Sequence, residues 1–495
     1  MTFVYNTCLF TYIMQGGVNV EIPFIDLRKH SSRFQIEHID FSIEGMPNDV
    51  LMKSIDMALS YIPLISTRSI TLLSSIESAT FLVNLISHLT FLHTFFSNSN
   101  AEAIAEDDAK DFKWTEEHFT RDQQLFDRLG SSISNVVEHQ HQQSESTRFN
   151  AEIVNRLFRN DPCYDQLLEL AINGAIIDVD SSFEINSIGD PFRPIQHRIP
   201  KCMAKHAVKL WSQNRGLLFR IDAIGDQNLL VHKNPAHWFR KPDAKAGRFI
   251  VDASNASNSS VRMQLNGGEA KQLSRNRYGV VLLDTAALIF IGWMMYISPQ
   301  GLKWHECRIY KDDITAAFPQ FNFNKNSALL LGVIIATGVL FIYTCGNFGW
   351  TGCPGVFQVI AFALLRLLKK HVNGVINMFV DDIMGFGTLS DCSHDQPMVQ
   401  QYVRECFGHE GAINPTKTIS PTQRAVILGW QVDLSIGMVC PDTKGINKLL
   451  YVFFCFDVQR PQSHHLYLVL AAVAERYSNG IRGARCFVFP LHEMA

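Results

Sequence analysis

Asn377-Met378-Phe379-Val380-Asp381-Asp382 sets two adjacent carboxylates between an apolar run and a glycine-bearing one. Ile376, Met378 and Phe379 lead in, and Ile383-Met384-Gly385-Phe386-Gly387 lead out. Apolar runs on either side of a short polar step predict a β-hairpin with Asp381 and Asp382 at its tip. No cation stands near the pair in sequence, and two carboxylates among apolar residues are costly unless a metal ion or another cation compensates them. Alone, an Asp-Asp dipeptide is weak evidence, because Asp is a favoured turn residue and most such pairs are solvated turns. The segments upstream decide the reading.

A second acidic site lies at Tyr310-Lys311-Asp312-Asp313-Ile314-Thr315-Ala316-Ala317-Phe318. A strand that ends in a carboxylate and turns into Ala-Ala-Phe suits a pocket shared by one Asp and one aromatic ring. Neighbours on a strand point to opposite faces, so only one of Asp312 and Asp313 can face such a pocket. Between the two acidic sites, Asn347-Phe348-Gly349-Trp350-Thr351-Gly352-Cys353-Pro354-Gly355-Val356-Phe357-Gln358 reads as a glycine-rich turn. It feeds an apolar helix through Leu364-Leu365-Arg366-Leu367-Leu368.

In this order the three blocks resemble motifs A, B and C of the reverse transcriptase palm. Asp313, Ala317 and Phe318 fit motif A. Phe348-Gly349 through Cys353-Pro354 and Phe357-Gln358 fit motif B, and Phe379-Val380-Asp381-Asp382 fits motif C. Phe379 stands where many relatives carry Tyr, which loses a hydroxyl and keeps the ring. Ala412-Ile413-Asn414-Pro415-Thr416-Lys417 resembles motif D, and Ile427-Leu428-Gly429-Trp430-Gln431-Val432 resembles motif E, the primer grip. Trp238-Phe239-Arg240-Lys241-Pro242-Asp243 and Gly247-Arg248-Phe249-Ile250-Val251-Asp252 resemble the fingers hairpin that grips an incoming triphosphate. The resemblance covers roughly residues 150–495 and is nearest to retrotransposon enzymes of the gypsy or tyrosine-recombinase kind.

The resemblance implies phosphoryl transfer to a primer hydroxyl, a reaction that depends on positioning and charge stabilisation. It implies RNA and DNA template-primer and deoxynucleoside triphosphates as partners. Mg2+, with Mn2+ as the alternative, is the implied cofactor, since a hard ion is held by carboxylates and substrate phosphates. Asp313 and Asp381 are the expected primary ligands with Asp382 in support; alignment with the family selects Asp313 over Asp312. Lys417 is the expected proton donor to pyrophosphate. Lys241, Arg248, Phe318, Phe348 and Gly349 are expected at the nucleotide, and Leu428, Gly429 and Trp430 at the primer.

Each assignment has a plainer competitor. Phe318 is either core, the usual fate of a strand Phe, or the ring that excludes a ribose 2′-hydroxyl; its spacing from Asp313 favours the second. Lys241, Lys245 and Arg248 are either a solvated face or a phosphate site, which the hairpin pattern favours. Lys417 is either a surface Lys or the proton donor, and its place after Asn414-Pro415 favours the donor.

At 495 residues the chain is too long for one ordinary core and predicts several subdomains. With 47% apolar and 18% charged residues it is globular rather than disordered. A net charge of −3 provides no overall attraction to nucleic acid, but local charge matters more in a cleft. Residues 193–252 hold 12 Lys and Arg against 4 Asp and Glu, and Trp211, Phe219, Trp238 and Phe239 are interleaved with them. That stretch predicts a face for phosphate contact and base stacking. Eleven cysteines without a Cys-x-x-Cys pair predict reduced intracellular thiols, with neither a zinc knuckle nor a disulfide framework. Cys353 is expected to be packing rather than a nucleophile.

The expected fold is α/β of the α+β kind, a right hand of palm, fingers and thumb with an antiparallel palm sheet. Residues 1–150 form an unassigned, mainly helical region ending in a polar linker at Glu138–Ser146, whose His139 and His141 read as loop rather than metal ligands. Fingers follow over 151–300, palm over 301–435 and thumb with the start of the connection over 436–495, without a ribonuclease H domain. Ser78–Phe96 and Val280–Ile297 read as buried helices rather than membrane spans, and no signal peptide opens the chain. The expected protein is an intracellular RNA-directed DNA polymerase with no membrane partner. The rivals are a catalytically silent relic that only binds nucleic acid, and a structural protein whose Asp-Asp is a turn.

Overall fold

The computed structural model describes residues 112–144, 149–181, 183, 201–239, 247–254, 265–279 and 301–442, with short pieces at 39–40, 70–71, 471–472 and 475. The chain forms two compact units, one of Asn100–Leu428 with Val432–Met438, the other of Met1–Ser99, Gly429–Gln431 and Val439–Ala495. In the latter, Ile39–Asp40 pairs in parallel with Ile70–Thr71. The former is mixed α/β, and the strands of its sheets pair antiparallel.

Its chain opens with helices α1 (Glu117–Arg128), α2 (Ile133–Ser144), α3 (Ala151–Leu157), α4 (Tyr164–Asn173) and α5 (Lys201–Ser212). Strand β1 (Gly216–Arg220) and the hairpin β2 (Ala236–Phe239) and β3 (Arg248–Val251) follow, then helix α6 (Gly268–Tyr278). After β4 (Cys307–Asp313) come β5 (Gly332–Ala336), β6 (Val339–Tyr343) and helix α7 (Cys353–Leu368). The hairpin β7 (Val375–Phe379) and β8 (Asp382–Thr388) leads into helix α8 (Leu389–Phe407) and strand β9 (Ile419–Thr422). One sheet has the order β9-β4-β8-β7, and a second has β1-β6-β5.

The four-stranded sheet presents one face to helices α7 and α8. Along β7, Ile376 and Met378 are buried and alternate with half-buried neighbours, the period-two pattern of a strand with one core face. Gly385 on β8 stands opposite Tyr310 on β4. A Cβ there would lie 2.1 Å from Cζ of the tyrosine ring, so glycine is required for the ring to lie across the strand. Helix α7 follows Gly352 as its N-cap, with Pro354 in its first turn, where a missing N–H costs nothing. Its Phe357 stacks on Phe407 of α8 at 5.9 Å between ring centroids, and both rings are fully buried. Burial of one such ring contributes about 1.5–3 kcal/mol. Thr388 and Asp391 cap the start of α8 reciprocally, and Gly408 ends it in the left-handed conformation at φ 66°.

Three expectations change here. The segment expected as a polar linker is helical up to Ser144. Ile133, Val136 and Val137 are buried, and Gln140, one turn after Val136, is buried too, donating from Nε2 to the Gly216 carbonyl at 3.2 Å. Glu138 and Gln142 lie on the exposed face of this amphipathic helix. Helices α1 and α2 also belong to the unit that holds the sheets. Phe219, expected among stacking aromatics, is fully buried on β1 and packs at 6.1 Å against Phe126. The helices expected at Ser78–Phe96 and Val280–Ile297, Lys241, Lys245 and most of the thumb segment lie outside the described residues. Among the described residues no helix is long and apolar enough to cross a membrane.

Candidate active site

The two acidic segments meet at one end of the four-stranded sheet. Strand β4 ends at Asp313 and β8 begins at Asp382, and these two residues are register partners. Asp381 and Val380 form the two-residue turn between β7 and β8, closed by the Phe379–Asp382 pair. Val380 adopts φ 54°, an outlier for a β-branched residue. Positive φ at the first turn position alone is the pattern of the primed type II hairpin turn, which glycine normally fills. The strained residue therefore stands directly before the Asp-Asp pair. The Asp381 carbonyl accepts from the Ile314 amide at 2.9 Å, which ties the tip to the end of β4.

Asp313 is 4% exposed. Its Oδ1 accepts from Lys417 Nζ at 2.7 Å and its Oδ2 from Asn414 Nδ2 at 3.3 Å. The Asn414 amide donates to the Asp313 carbonyl at 2.9 Å. Segment 414–417 is thus held to the strand end by backbone and side chain together. Asp382 pairs with Lys311 Nζ at 2.6 Å. Lys311 lies two residues before Asp313, on the same face of β4. The cation missing from the hairpin's own sequence is supplied to Asp382 by the neighbouring strand. Period-two spacing from Asp313 places Lys311 on that face, and only the strand register brings it to Asp382.

Asp381 belongs to neither ion pair. Burial pushes its carboxyl above the ordinary range, and the charges of Asp382 and Asp313 push it further. Negative charge at the tip therefore exceeds what the two lysines offset. Three hard carboxylate oxygens from one strand end and one turn suit a hard divalent cation, and two of them already hold a cationic nitrogen. Among the described residues, no group of three or more His, Cys, Asp or Glu side chains is gathered as a metal cage.

Asp312 turns to the opposite face, as strand alternation requires, and is fully buried. Burial raises its pKa, against the pull of hydrogen bonds from Gln400, Gln396 and Thr418. None of these partners was evident in the sequence, because all are about 80 to over 100 positions away.

A second group gathers three of the residues expected at the nucleotide. Phe318 is half-buried, with its ring 5.1 Å from that of Phe348. Arg248 lies over Phe348 at 4.8 Å from the ring centroid, within cation–π range. Backbone pairing aligns them, since the Val251 amide donates to the Phe348 carbonyl at 2.8 Å and Ile250 bridges Phe348. Gly349 adopts φ 127°, and a Cβ there would meet the Val251 carbonyl oxygen at 1.7 Å. Only glycine fits this close approach. Cys353 is fully buried, and burial pushes its thiol pKa up, in keeping with packing.

In the expected primer grip, Leu428 (φ 49°) and Gly429 (φ 84°) form the two-residue turn between the strands β10 (Arg424–Ile427) and β11 (Trp430–Asp433). Positive φ at both positions is the pattern of the primed type I hairpin turn. Trp430 is 2% exposed.

No family model matches this chain, and no curated protein matches it. Among solved structures it is similar to three of a foamy viral protease-reverse transcriptase, each at 14% identity over 70% of this chain. The dRH form with double-stranded DNA has a TM-score of 0.39 and is covered over 54% of its length. Another complex with double-stranded DNA has 0.36 and 65%, and a complex with an RNA/DNA hybrid has 0.35 and 45%. The chain thus spans less than two thirds of each of these chains.

Proposed function

We propose that this chain is an RNA-directed DNA polymerase of a retroelement, which adds deoxynucleotides to a primer on an RNA or DNA template. The observation that carries the reading is the junction of Asp313 with the Asp381–Asp382 turn, completed by Lys417 on Asp313. The right-hand arrangement belongs to the same proposal, with fingers over 151–300, palm over 301–435 and thumb over 436–495.

Asp313 and Asp381, supported by Asp382, would hold Mg2+, or Mn2+ in its place; the burial of Asp381 beside the carboxylates of Asp382 and Asp313, which raises its pKa, fits such an ion. Bound there, the metal supplies positive charge to the attacking and leaving oxygens of phosphoryl transfer. Arg248 offers the triphosphate a planar guanidinium suited to bidentate phosphate contact. Phe318 and Phe348 set the shape of the sugar and base site. Lys417 carries a proton that the leaving pyrophosphate can take.

Primer extension by the purified chain, with RNA and DNA templates compared at several Mg2+ concentrations, tests the reading. Template-directed extension that stops on removal of the divalent ion is the expected result. Binding of template-primer with no synthesis at any ion concentration would mark a silent relic.

A further inference from the structure

Asp312 and Asp313 grip the same short segment from opposite faces of β4. On one face, Asp313 takes the Lys417 ammonium and the Asn414 side chain. On the other, Asp312 Oδ1 accepts from the Thr418 hydroxyl at 3.0 Å. Thr418, the residue after Lys417, is also held within its own segment, 3.2 Å from the Asn414 carbonyl. Helix α8 completes the buried face. Gln400 Nε2 donates to Asp312 Oδ1 at 2.8 Å, and Gln396 Nε2 donates to Asp312 Oδ2 at 3.2 Å and to the Ile419 carbonyl at 3.1 Å. A fully buried carboxylate with three such donors is a rigid anchor, because any loosening leaves charge or donor unsatisfied in the core.

We propose that Asp312, through Thr418, is a positioning residue that fixes Lys417 against Asp313. The inference rests on the reading of Lys417 as proton donor, but the clamp itself is a matter of geometry. Lys417 has a long side chain, more than half exposed, on a short turn in which its own amide donates to the Asn414 carbonyl at 3.2 Å. Fixing the backbone at the next residue, with Asn414 fixed at the other end, limits where its ammonium can reach. Two glutamines on α8 make that helix the reference frame for the proton donor.

Thr418→Val removes the hydroxyl at nearly constant volume, and Thr418→Ser restores it. Two readouts apply to the full-length protein. The first is the rate at which Lys417 is reductively methylated, followed by peptide mass spectrometry with Lys325 as the internal reference. The second is primer extension, resolved into turnover and nucleotide KM. Thr418→Val should label Lys417 several times faster than the parent. It should also lower turnover about tenfold and leave nucleotide KM unchanged. Thr418→Ser should return both readouts to the parent values. Should the Val variant lose its fold, Thr418→Ala, which adds no bulk, carries the same expectations. Equal Lys417 labelling in parent and hydroxyl-free variants overturns the proposal. A parent that extends no primer instead overturns the polymerase reading, and the labelling arm still decides the clamp.

Discussion

Asp313 and Asp382 face each other across adjacent strands, and each carboxylate holds an ammonium, Lys417 at 2.7 Å and Lys311 at 2.6 Å. Asp381, in the turn directly before Asp382, belongs to neither pair. Three acids and two bases leave one negative charge over. The same imbalance that suits a cation makes the turn costly for the folded protein.

Asp381→Asn should therefore have opposite effects on activity and stability. Synthesis should fall at least about a hundredfold, while template-primer binding, which depends mainly on phosphate contacts elsewhere, stays within error. Thermal stability at neutral pH should rise by about 2 °C, a small gain of the kind expected when an active-site charge is removed. The sign follows from the raised carboxyl pKa of Asp381. A group raised by folding favours the folded state below its unfolded pKa and loses that contribution as pH rises through its folded one. Melting curves of parent and variant should thus converge in acid and separate toward neutral pH. Unchanged extension by the Asn variant would remove Asp381 from the chemistry.

Phe318 is packed against Phe348 rather than sunk in the core. Phe318→Ala should raise ribonucleotide use relative to deoxyribonucleotide use, since only a bulky ring obstructs a 2′-hydroxyl. Competitive incorporation assays measure the ratio. Equal loss of both substrates together with a lower melting temperature would mark the ring as core.

Arg248 caps the same aromatic pair from the exposed end of β3. Arg248→Ala should raise nucleotide KM by about ten- to a hundredfold, the loss of one charge-assisted hydrogen bond. Template-primer affinity and its salt dependence should barely move. Arg248→Lys should recover only part of the loss, because an ammonium lacks the planar fork. A flattened salt slope with unchanged KM would assign Arg248 to the duplex instead.

Gly349→Ala should destabilise the protein by about 3 kcal/mol, as a buried clash with backbone cannot relax through a side chain. The new methyl would have to displace the Val251 carbonyl and, with it, the pairing that holds Arg248 over Phe348. Denaturant unfolding and nucleotide KM should worsen together. Stability equal to that of the parent would show that this approach of β3 is not what requires glycine.

The turn at Asp381, the strand ending at Asp313 and the helix after Gly352 were legible in the sequence, because each is specified within a dozen residues. Alternating apolar positions give a strand one core face, and Pro354 in the first turn suits the start of a helix. The faces of Asp312 and Asp313 followed from the same local rule. Linear spacing could not assign partners. Lys417 reaches Asp313 across 104 positions, Gln400 reaches Asp312 across 88, and Lys311 reaches Asp382 from the next strand. Those contacts exist only once strand register is set, and register depends on which faces are buried together. For the same reason the polar run after Val137 looked like a linker and is a helix with Gln140 buried against Gly216. Local chemistry thus determined where charge sits along the chain. Only the pairing of distant strands and helices decided which charges are neutralised and which carboxylate is left over.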